Sequence, residues 1–273
     1  QLPPPVGADG GSSAVPPSGV VSLVTDPSQS LTKHSAHKYT HGHALVLSGP
    51  AGQTGAARLA ARGALRIGAG VVTVASPKSA MLENALQLTA VMVTEADGPQ
   101  ALKRMLDDAR LNALCLGPAL GLDTRAAKLV AVALAAKRKT VLDADALTLL
   151  SQDDALFAAL HPSCVLTPHA GEFKRLFPDI AAKLDAPATT GPAYSKVDAT
   201  REAAKRAGCT VLFKGPDTVI ASPDGQASIN ASLYERAAPW LATAGSGDVL
   251  AGFITGLMAR GFAPHHAAET AAF

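Results

Sequence analysis

Short apolar runs alternate along the chain with longer Ala-rich stretches in which polar residues recur at helical spacing. The apolar runs are nearly continuous, as in strands buried on both faces of a sheet. They predict strands at 43–48, 71–75, 90–94, 113–116, 140–143, 164–166, 210–213 and 218–221. The intervening stretches predict helices at 55–67, 98–108, 124–137, 153–160, 197–207 and 247–260, with shorter helices starting near 146, around 172 and at 264. This alternation predicts an α/β fold with a mostly parallel sheet covered by helices on both faces.

Residues that can bind ligands or take part in catalysis follow the predicted strands. In open parallel sheets, ligands bind beyond the carboxyl ends of the strands. The segments at those ends are Ser48-Gly49-Pro50, Gly117-Pro118, Asp143-Ala144-Asp145, Thr167-Pro168-His169 and Lys214-Gly215. We therefore expect one site along that edge of the sheet.

The first residues differ in composition from the rest. Residues 1–30 hold six Pro, four Gly and six Ser, and no Lys or Arg. This bias is typical of a linker or arm. We predict an arm over residues 1–33 and one domain over residues 34–273.

Composition narrows the functional classes. The net charge is +2, the chain has no basic run, and it has no apolar run of the roughly 18 residues that cross a bilayer, so neither a nucleic-acid surface nor a membrane span is predicted. Cys115, Cys164 and Cys209 lie in apolar stretches without metal-ligand spacing, which favours buried thiols in a cytoplasmic protein. Four histidines lack the spacing of a metal site and favour a structural or surface role: His34, His37, His41 and His43.

The strongest chemical motif is Gly245-Ser246-Gly247-Asp248, which precedes an apolar helix. Glycines let backbone amides converge on one point, and a helix N-terminus adds positive potential, so Gly245, Ser246 and Gly247 predict an anion hole for a phosphoryl group. Asp248 lies beside it and is the candidate base that takes a proton from an attacking hydroxyl. The alternative is an ordinary helix entry with Asp248 as a capping residue.

Three further groups have two interpretations each. Lys214 follows a strand and can place its ammonium near phosphates, although Pro216-Asp217 also favours a simple turn. His169 can contact a ligand, or it can be structural in a helix entry that Thr167 caps. Asp143 and Asp145 can bind Mg²⁺, or one can cap a helix while the other holds a loop.

Together these motifs resemble the ADP-dependent NAD(P)H-hydrate dehydratases of the ribokinase-like superfamily. The resemblance runs from about residue 34 to the end. It rests on the order of His37-Lys38, Gly55-Ala56-Ala57, Gly68-Ala69-Gly70, Gly117-Pro118, LDADAL at 142–147, LTPHAGEF at 166–173, Lys214-Gly215-Pro216-Asp217-Thr218 and AGSGD at 244–248.

The resemblance implies a three-layer α/β/α sandwich and a cytoplasmic repair enzyme. Such an enzyme uses ADP or ATP, with Mg²⁺, to phosphorylate the ring hydroxyl of the S-epimer of hydrated NADH or NADPH, and elimination of phosphate then restores the cofactor. The resemblance also implies a homo-oligomer and an NAD(P)H-hydrate epimerase domain, fused or separate, as a partner.

The resemblance assigns roles residue by residue. Asp248 would be catalytic, and Gly247 with Lys214, Gly215, Pro216, Asp217 and Thr218 would bind the nucleotide. Ala56, Ala119, His169 and Asp248 would contact the hydrated cofactor.

One position departs from the family pattern, which has Gly-Pro-Gly where this chain has Gly117-Pro118-Ala119. The methyl group of Ala119 disfavours a positive φ and narrows the space for substrate, unless the backbone there is compatible.

Two other functions fit the anion hole. The first is a kinase of the same fold acting on a vitamin alcohol, which LTPHAGEF and LDADAL disfavour. The second is a non-catalytic nucleotide-binding module, which the intact Asp248 disfavours.

Overall fold

The computed structural model describes residues 20–189 and 191–273, and within them the strands form one ten-stranded sheet. The strands are β1 (Ser22–Leu23), β2 (His43–Leu47), β3 (Val71–Ser76), β4 (Met92–Glu95), β5 (Leu111–Leu116), β6 (Lys139–Leu142), β7 (Cys164–Leu166), β8 (Thr210–Phe213), β9 (Asp217–Ala221) and β10 (Ala227–Ala231). The helices are α1 (Gly55–Arg66), α2 (Met81–Gln87), α3 (Pro99–Met105), α4 (Thr124–Ala135), α5 (Asp145–Gln152), α6 (Asp154–Ala158), α7 (Ala170–Leu176), α8 (Pro178–Asp185), α9 (Lys196–Ala207), α10 (Ser246–Ala259) and α11 (Pro264–Ala272).

The sheet is mostly parallel, as the sequence predicts. Its strand order is β1-β10-β9-β8-β7-β6-β5-β2-β3-β4. Neighbouring strands from β8 to β4 in that order are parallel, and β9 is antiparallel to both of its neighbours. The parallel strands therefore place their carboxyl ends, and the segments that follow them, along one edge.

Helices cover both faces of the sheet and give the three layers that the family resemblance implies. One buried cluster packs α3 to α9 on one face, and the other packs α1, α10 and α11 on the opposite face. The backbones of α1 and α10 approach closely, since a Cβ added at Gly252 would lie 2.1 Å from Ala60 O and one at Gly63 would lie 2.9 Å from Val249 O. Glycine at these two helical positions is therefore a packing requirement that offsets its low helix propensity.

The edges of the sheet differ from the sequence prediction. Ala227–Ala231 forms β10, although no strand is predicted there. The prediction missed it because its polar positions break the apolar run. Ser22–Leu23, inside the predicted arm, adds a short strand against β10. Residues 1–19 of that arm lie outside the described residues, so the division at residue 33 stays a prediction. Within residues 20–189 and 191–273, no helix has the length and hydropathy needed to cross a membrane.

Candidate active site

Lys214 and Asp143 form the centre of the site at the carboxyl ends of β8 and β6. Lys214 Nζ lies 2.9 Å from Asp143 Oδ1 and 3.7 Å from Glu172 Oε2. The Asp143 side chain is 3% exposed and that of Lys214 is 19% exposed. A fixed ammonium with two carboxylates is thereby held at the edge where ligands of parallel sheets bind.

His169 itself caps α7, and the expectation that Thr167 is the cap is wrong. His169 Nδ1 accepts from Gly171 N at 3.0 Å, and His169 N donates to Glu172 Oε2 at 2.8 Å, which is a reciprocal capping box. Thr167 Oγ1 instead donates to Leu142 O at 3.4 Å. The imidazole remains 57% exposed, and its Nε2 lies 3.4 Å from Glu172 Oε1, so the cap and Glu172 together orient the ring at the surface of the site.

The predicted anion hole lies beside Lys214. Gly245 is the N-cap of α10 and has φ +92°, a conformation that favours glycine, and a Cβ there would lie 2.6 Å from Leu59 Cδ1. A Cβ added at Gly247 would lie 3.6 Å from Lys214 Nζ and 3.9 Å from Asp143 Oδ2. The amides at the start of a 14-residue helix and the Lys214 ammonium thus meet at one point, which suits a phosphoryl group.

Asp248 lies in the first turn of α10 and is half-buried. Burial raises the pKa of its carboxyl, the negative charge of Asp143 raises it further, and Lys214 lowers it. A carboxylate with a raised pKa is a better proton acceptor, which agrees with the predicted role as general base.

Lys196 is a residue of the site that the sequence did not reveal. Its Nζ donates to Asp217 Oδ1 at 2.9 Å, to Asp217 O at 2.8 Å and to Lys214 O at 3.3 Å, and it lies 4.5 Å from the centre of the Phe213 ring. Lys196 therefore fixes the predicted nucleotide segment. A lysine at the start of an ordinary helix carries no sequence signal for this role.

The rest of that segment forms a tight turn. Gly215 has φ +156°, and a Cβ there would lie 2.6 Å from Lys196 Nζ. Thr218 Oγ1 donates to Gly215 O at 2.8 Å, while Ser232 N donates to Pro216 O at 2.7 Å. These hydrogen bonds hold the turn in one conformation.

The two aspartates predicted to bind metal have different partners. Asp143 faces Lys214, whereas Asp145 Oδ2 accepts from Gly121 N at 2.9 Å. Among the residues that the structure describes, no group of three or more His, Cys, Asp or Glu side chains is arranged to hold a metal ion. Of the pair, Asp143 is the one that lies near the anion hole.

The predicted substrate positions Ala56 and Ala119 follow β2 and β5, which are adjacent in the sheet. Ala56 is partly exposed in the first turn of α1. Ala119 has φ +51°, so the alanine adopts the left-handed conformation that the family glycine would favour. A Cβ added at Gly49 would lie 1.9 Å from the carbonyl oxygen of Ala119. The loop that carries Ala119 therefore packs directly against the residues that follow β2.

Glu83 on α2 holds the turn that leads to Ala56, another role that the sequence did not reveal. Its carboxylate accepts from Gly52 N at 2.8 Å and from Thr54 Oγ1, and Arg58 Nη1 lies 3.8 Å away. Glu83 is therefore a positioning residue for the start of α1. Glu83 lies 31 positions from Gly52 and 29 positions from Thr54 in the chain, so no local sequence pattern predicts these contacts.

The remaining candidates are buried or surface residues with no contact to the Lys214–Asp143 pair among the described hydrogen bonds and ion pairs. Cys115, Cys164 and Cys209 are free and buried, as predicted, and burial raises the pKa of the Cys115 thiol to about 12. His43 is buried and lies 2.8 Å from Thr73 Oγ1 through its Nε2. His34 is exposed.

Comparison with known proteins identifies the family of the chain. Residues 44–273 match the family described as NAD(P)H-hydrate dehydratase. Two relatives are named bifunctional NAD(P)H-hydrate repair enzymes. The chain is 37% identical over 248 residues to the one from Moorella thermoacetica, covering 88% of this chain and 44% of that protein. It is 37% identical over 232 residues to the one from Mycobacterium tuberculosis, covering 85% of this chain and 44% of that protein. The chain thus spans less than half the length of these relatives.

Solved structures have the same fold. The ADP/ATP-dependent NAD(P)H-hydrate dehydratase of Bacillus subtilis, co-crystallised with ATP and Mg²⁺, superposes with a TM-score of 0.73 at 27% identity, covering 93% of this chain and 86% of that one. A phosphomethylpyrimidine kinase from Clostridium difficile superposes with a TM-score of 0.53 at 14% identity, covering 84% and 97%, and shows the fold alone.

Proposed function

Because the chain belongs to the NAD(P)H-hydrate dehydratase family, we propose that it uses ADP or ATP to dehydrate the S-epimer of hydrated NADH or NADPH. One observation carries the proposal: the Lys214 ammonium, the amides that begin α10 and the Asp248 carboxylate meet at one edge of the sheet. A phosphoryl group bound there would lie beside the Asp248 carboxylate, which would act as the general base.

The chemistry proceeds in two steps. The ring hydroxyl of the hydrated cofactor attacks the terminal phosphorus of the nucleotide, its proton passes to Asp248, and the bond to the leaving AMP or ADP breaks. The C–O bond of the phosphorylated ring then breaks, phosphate leaves with the electron pair, and loss of a proton from the neighbouring ring carbon restores the double bond. Phosphate leaves more readily than hydroxide, which explains a dehydratase on a kinase-like fold.

The protein holds the groups in place during transfer. The amides of Gly245, Ser246 and Gly247 and the Lys214 ammonium stabilise the negative charge on the migrating group. His169 and the small side chains of Ala56 and Ala119 border the space for the hydrated cofactor. Gly215, Pro216, Asp217 and Thr218 form the nucleotide turn.

The residues present fit a Mg²⁺ ion that is bound mainly through the nucleotide. Mg²⁺ in phosphoryl-transfer sites takes one or two protein carboxylates, phosphate oxygens and water. Asp143 Oδ2 faces the anion hole, so Asp143 would hold the ion, whereas Asp145 is engaged with Gly121. When bound, the ion neutralises charge on the phosphates.

The test is a repair assay. Protein is mixed with hydrated NADH, Mg²⁺ and either ADP or ATP, and the absorbance of reduced nicotinamide is followed. We expect absorbance to return in a nucleotide-dependent manner, with no return for Asp248→Asn. If hydrated NADH is never consumed under any nucleotide, the proposed function is wrong.

The vitamin kinase remains the second candidate because its chemistry needs the same base and anion hole. It is less well supported, since the similarity to a solved vitamin kinase is confined to the fold. A stable phosphorylated product without recovery of NADH would favour it.

The bifunctional relatives are more than twice as long as the matched region. We therefore propose, from the family resemblance, that the protein works with an NAD(P)H-hydrate epimerase activity, fused or separate, as a cytoplasmic homo-oligomer. Size-exclusion chromatography with light scattering would test the oligomer. Acceleration of repair of an epimer mixture by added epimerase would test the partnership.

A further inference from the structure

An exposed tryptophan stands on the segment that leads into the anion hole. Trp240 is the only tryptophan in the sequence, and 90% of its surface is accessible. The segment 232–245 joins the end of β10 to the start of α10. Covering a tryptophan removes a large apolar surface from water, so a ligand that lies against Trp240 would gain affinity from the contact.

The two ends of this segment are fixed at the nucleotide turn and at the anion hole. At its start, Ala231 pairs with Asp217 and Ser232 N donates to Pro216 O at 2.7 Å, so the segment leaves from the nucleotide turn. At its end, Gly245 is the N-cap of α10, and a Cβ added two residues later at Gly247 would lie 3.6 Å from Lys214 Nζ. The chain between these points is therefore anchored at both ends close to Lys214, on the side of β8 and β9.

The topology separates this side from the predicted substrate positions. In the sheet order β9-β8-β7-β6-β5-β2, the nucleotide turn follows β8, whereas Ala56 and Ala119 follow β2 and β5. Segment 232–245 begins next to β9, on the side of the nucleotide turn. The flat ring that we expect it to meet is therefore the purine base rather than the nicotinamide ring.

We propose that Trp240 stacks on the adenine ring of the bound nucleotide and sets its affinity. This assignment rests on the proposed function and deepens it. Aromatic side chains stack on bases with a gain that corresponds to about a tenfold change in Kd. Gly215 and the turn that Lys196 fixes would bind the opposite side of the same ligand.

Because Trp240 is the only tryptophan, its fluorescence reports on its surroundings directly. We expect ADP to change the emission in a saturable manner, because the base covers the indole. Pyrophosphate, which has phosphates and no base, should leave the emission unchanged. Nicotinamide mononucleotide, which has the other ring and no adenine, should also leave it unchanged.

Substitutions test the energetic role by calorimetric titration with ADP. Trp240→Ala should raise Kd by about tenfold, and Trp240→Phe, which keeps an aromatic face, should recover most of the affinity. The matched control is Tyr234→Ala, which removes an aromatic side chain that is 95% exposed on the same segment and should change Kd by less than about twofold.

The outcomes separate this inference from the proposed function. Calorimetric binding of ADP by the unsubstituted protein with unchanged emission, or equal losses for Trp240→Ala and Tyr234→Ala, would overturn the stacking role while leaving the function intact. Emission that responds to nicotinamide mononucleotide, or to protein concentration alone, would assign Trp240 to the substrate or to a second copy and would also overturn it. Absence of ADP binding by calorimetry would contradict the proposed function itself.

Discussion

The Nζ atom of Lys214 lies 2.9 Å from the Oδ1 atom of Asp143, a contact between residues 71 positions apart in the chain. The two side chains come from the ends of β8 and β6, and β7 lies between those strands. The pair therefore ties together three neighbouring strands at the edge where the anion hole lies. We expect the pair to contribute both to stability and to ligand binding, two effects that can be measured separately.

We predict that Lys214→Met destabilises the fold by about 2 kcal/mol, because it leaves the buried Asp143 carboxylate without its main partner. The free energy of unfolding is measured by urea denaturation. The control is Lys214→Met combined with Asp143→Asn, which removes the unpaired charge and should recover about 1 kcal/mol through coupling between the two sites. Additive losses in this cycle would show that the contact contributes little to stability.

Asp248→Asn should abolish turnover while ADP affinity stays within about threefold, because the amide keeps the shape and cannot accept the proton. Turnover is measured by recovery of reduced nicotinamide and affinity by calorimetry. Asp248→Glu is the matched variant, since it keeps a carboxylate at a displaced position and should retain partial activity. Near-normal turnover of Asp248→Asn would remove Asp248 from the role of base.

The acidic limb of the pH profile of kcat/KM should lie above the ordinary range of an aspartate. Burial and the charge of Asp143 raise the pKa of Asp248, and a base is active only when deprotonated, so activity falls as the pH drops through that raised pKa. Lys214 lowers the pKa of Asp248, so Lys214→Met should move the limb to higher pH. A limb that stays at the pH of an unperturbed carboxyl, about 3.9, or does not move in the variant, would contradict this assignment.

The sequence predicted the central sheet well because its strands are buried on both faces and their apolar runs are continuous. Cys164–Leu166 and Thr210–Phe213 match the predicted bounds of β7 and β8. Ala227–Ala231 escaped prediction because an edge strand needs fewer apolar positions, and its pairing with β9 is a tertiary contact.

For the site, the sequence predicted where the motifs lie in the sheet but not which residues contact them. Motifs that follow strands could be placed at one edge, because the carboxyl ends of parallel strands coincide. The partners of those motifs could not: Lys196 reaches the Lys214 turn, and Glu83 reaches Gly52, only through packing of α9 and α2 against the sheet. That His169 caps α7 also escaped prediction, because the cap depends on the orientation of the ring, which residue type alone does not determine.

Ala119→Gly should stabilise the protein by about 0.5–1 kcal/mol. Ala119 has φ +51°, where an alanine costs about 1–2 kcal/mol relative to glycine, and part of that gain is lost to the greater freedom of glycine in the unfolded chain. The matched control is Ala127→Gly in α4, where the helical conformation makes the same change destabilising by about 1 kcal/mol. Urea denaturation of both variants compares the signs directly.

Since the loop of Ala119 also borders the proposed substrate space, the repair assay on Ala119→Gly separates two effects. A lower KM with unchanged kcat would show that the methyl group narrows the pocket. An unchanged KM alongside the gain in stability would show that the loop already holds the conformation of the family glycine, at the expense of backbone strain alone. Destabilisation by Ala119→Gly would contradict the strain that φ +51° indicates.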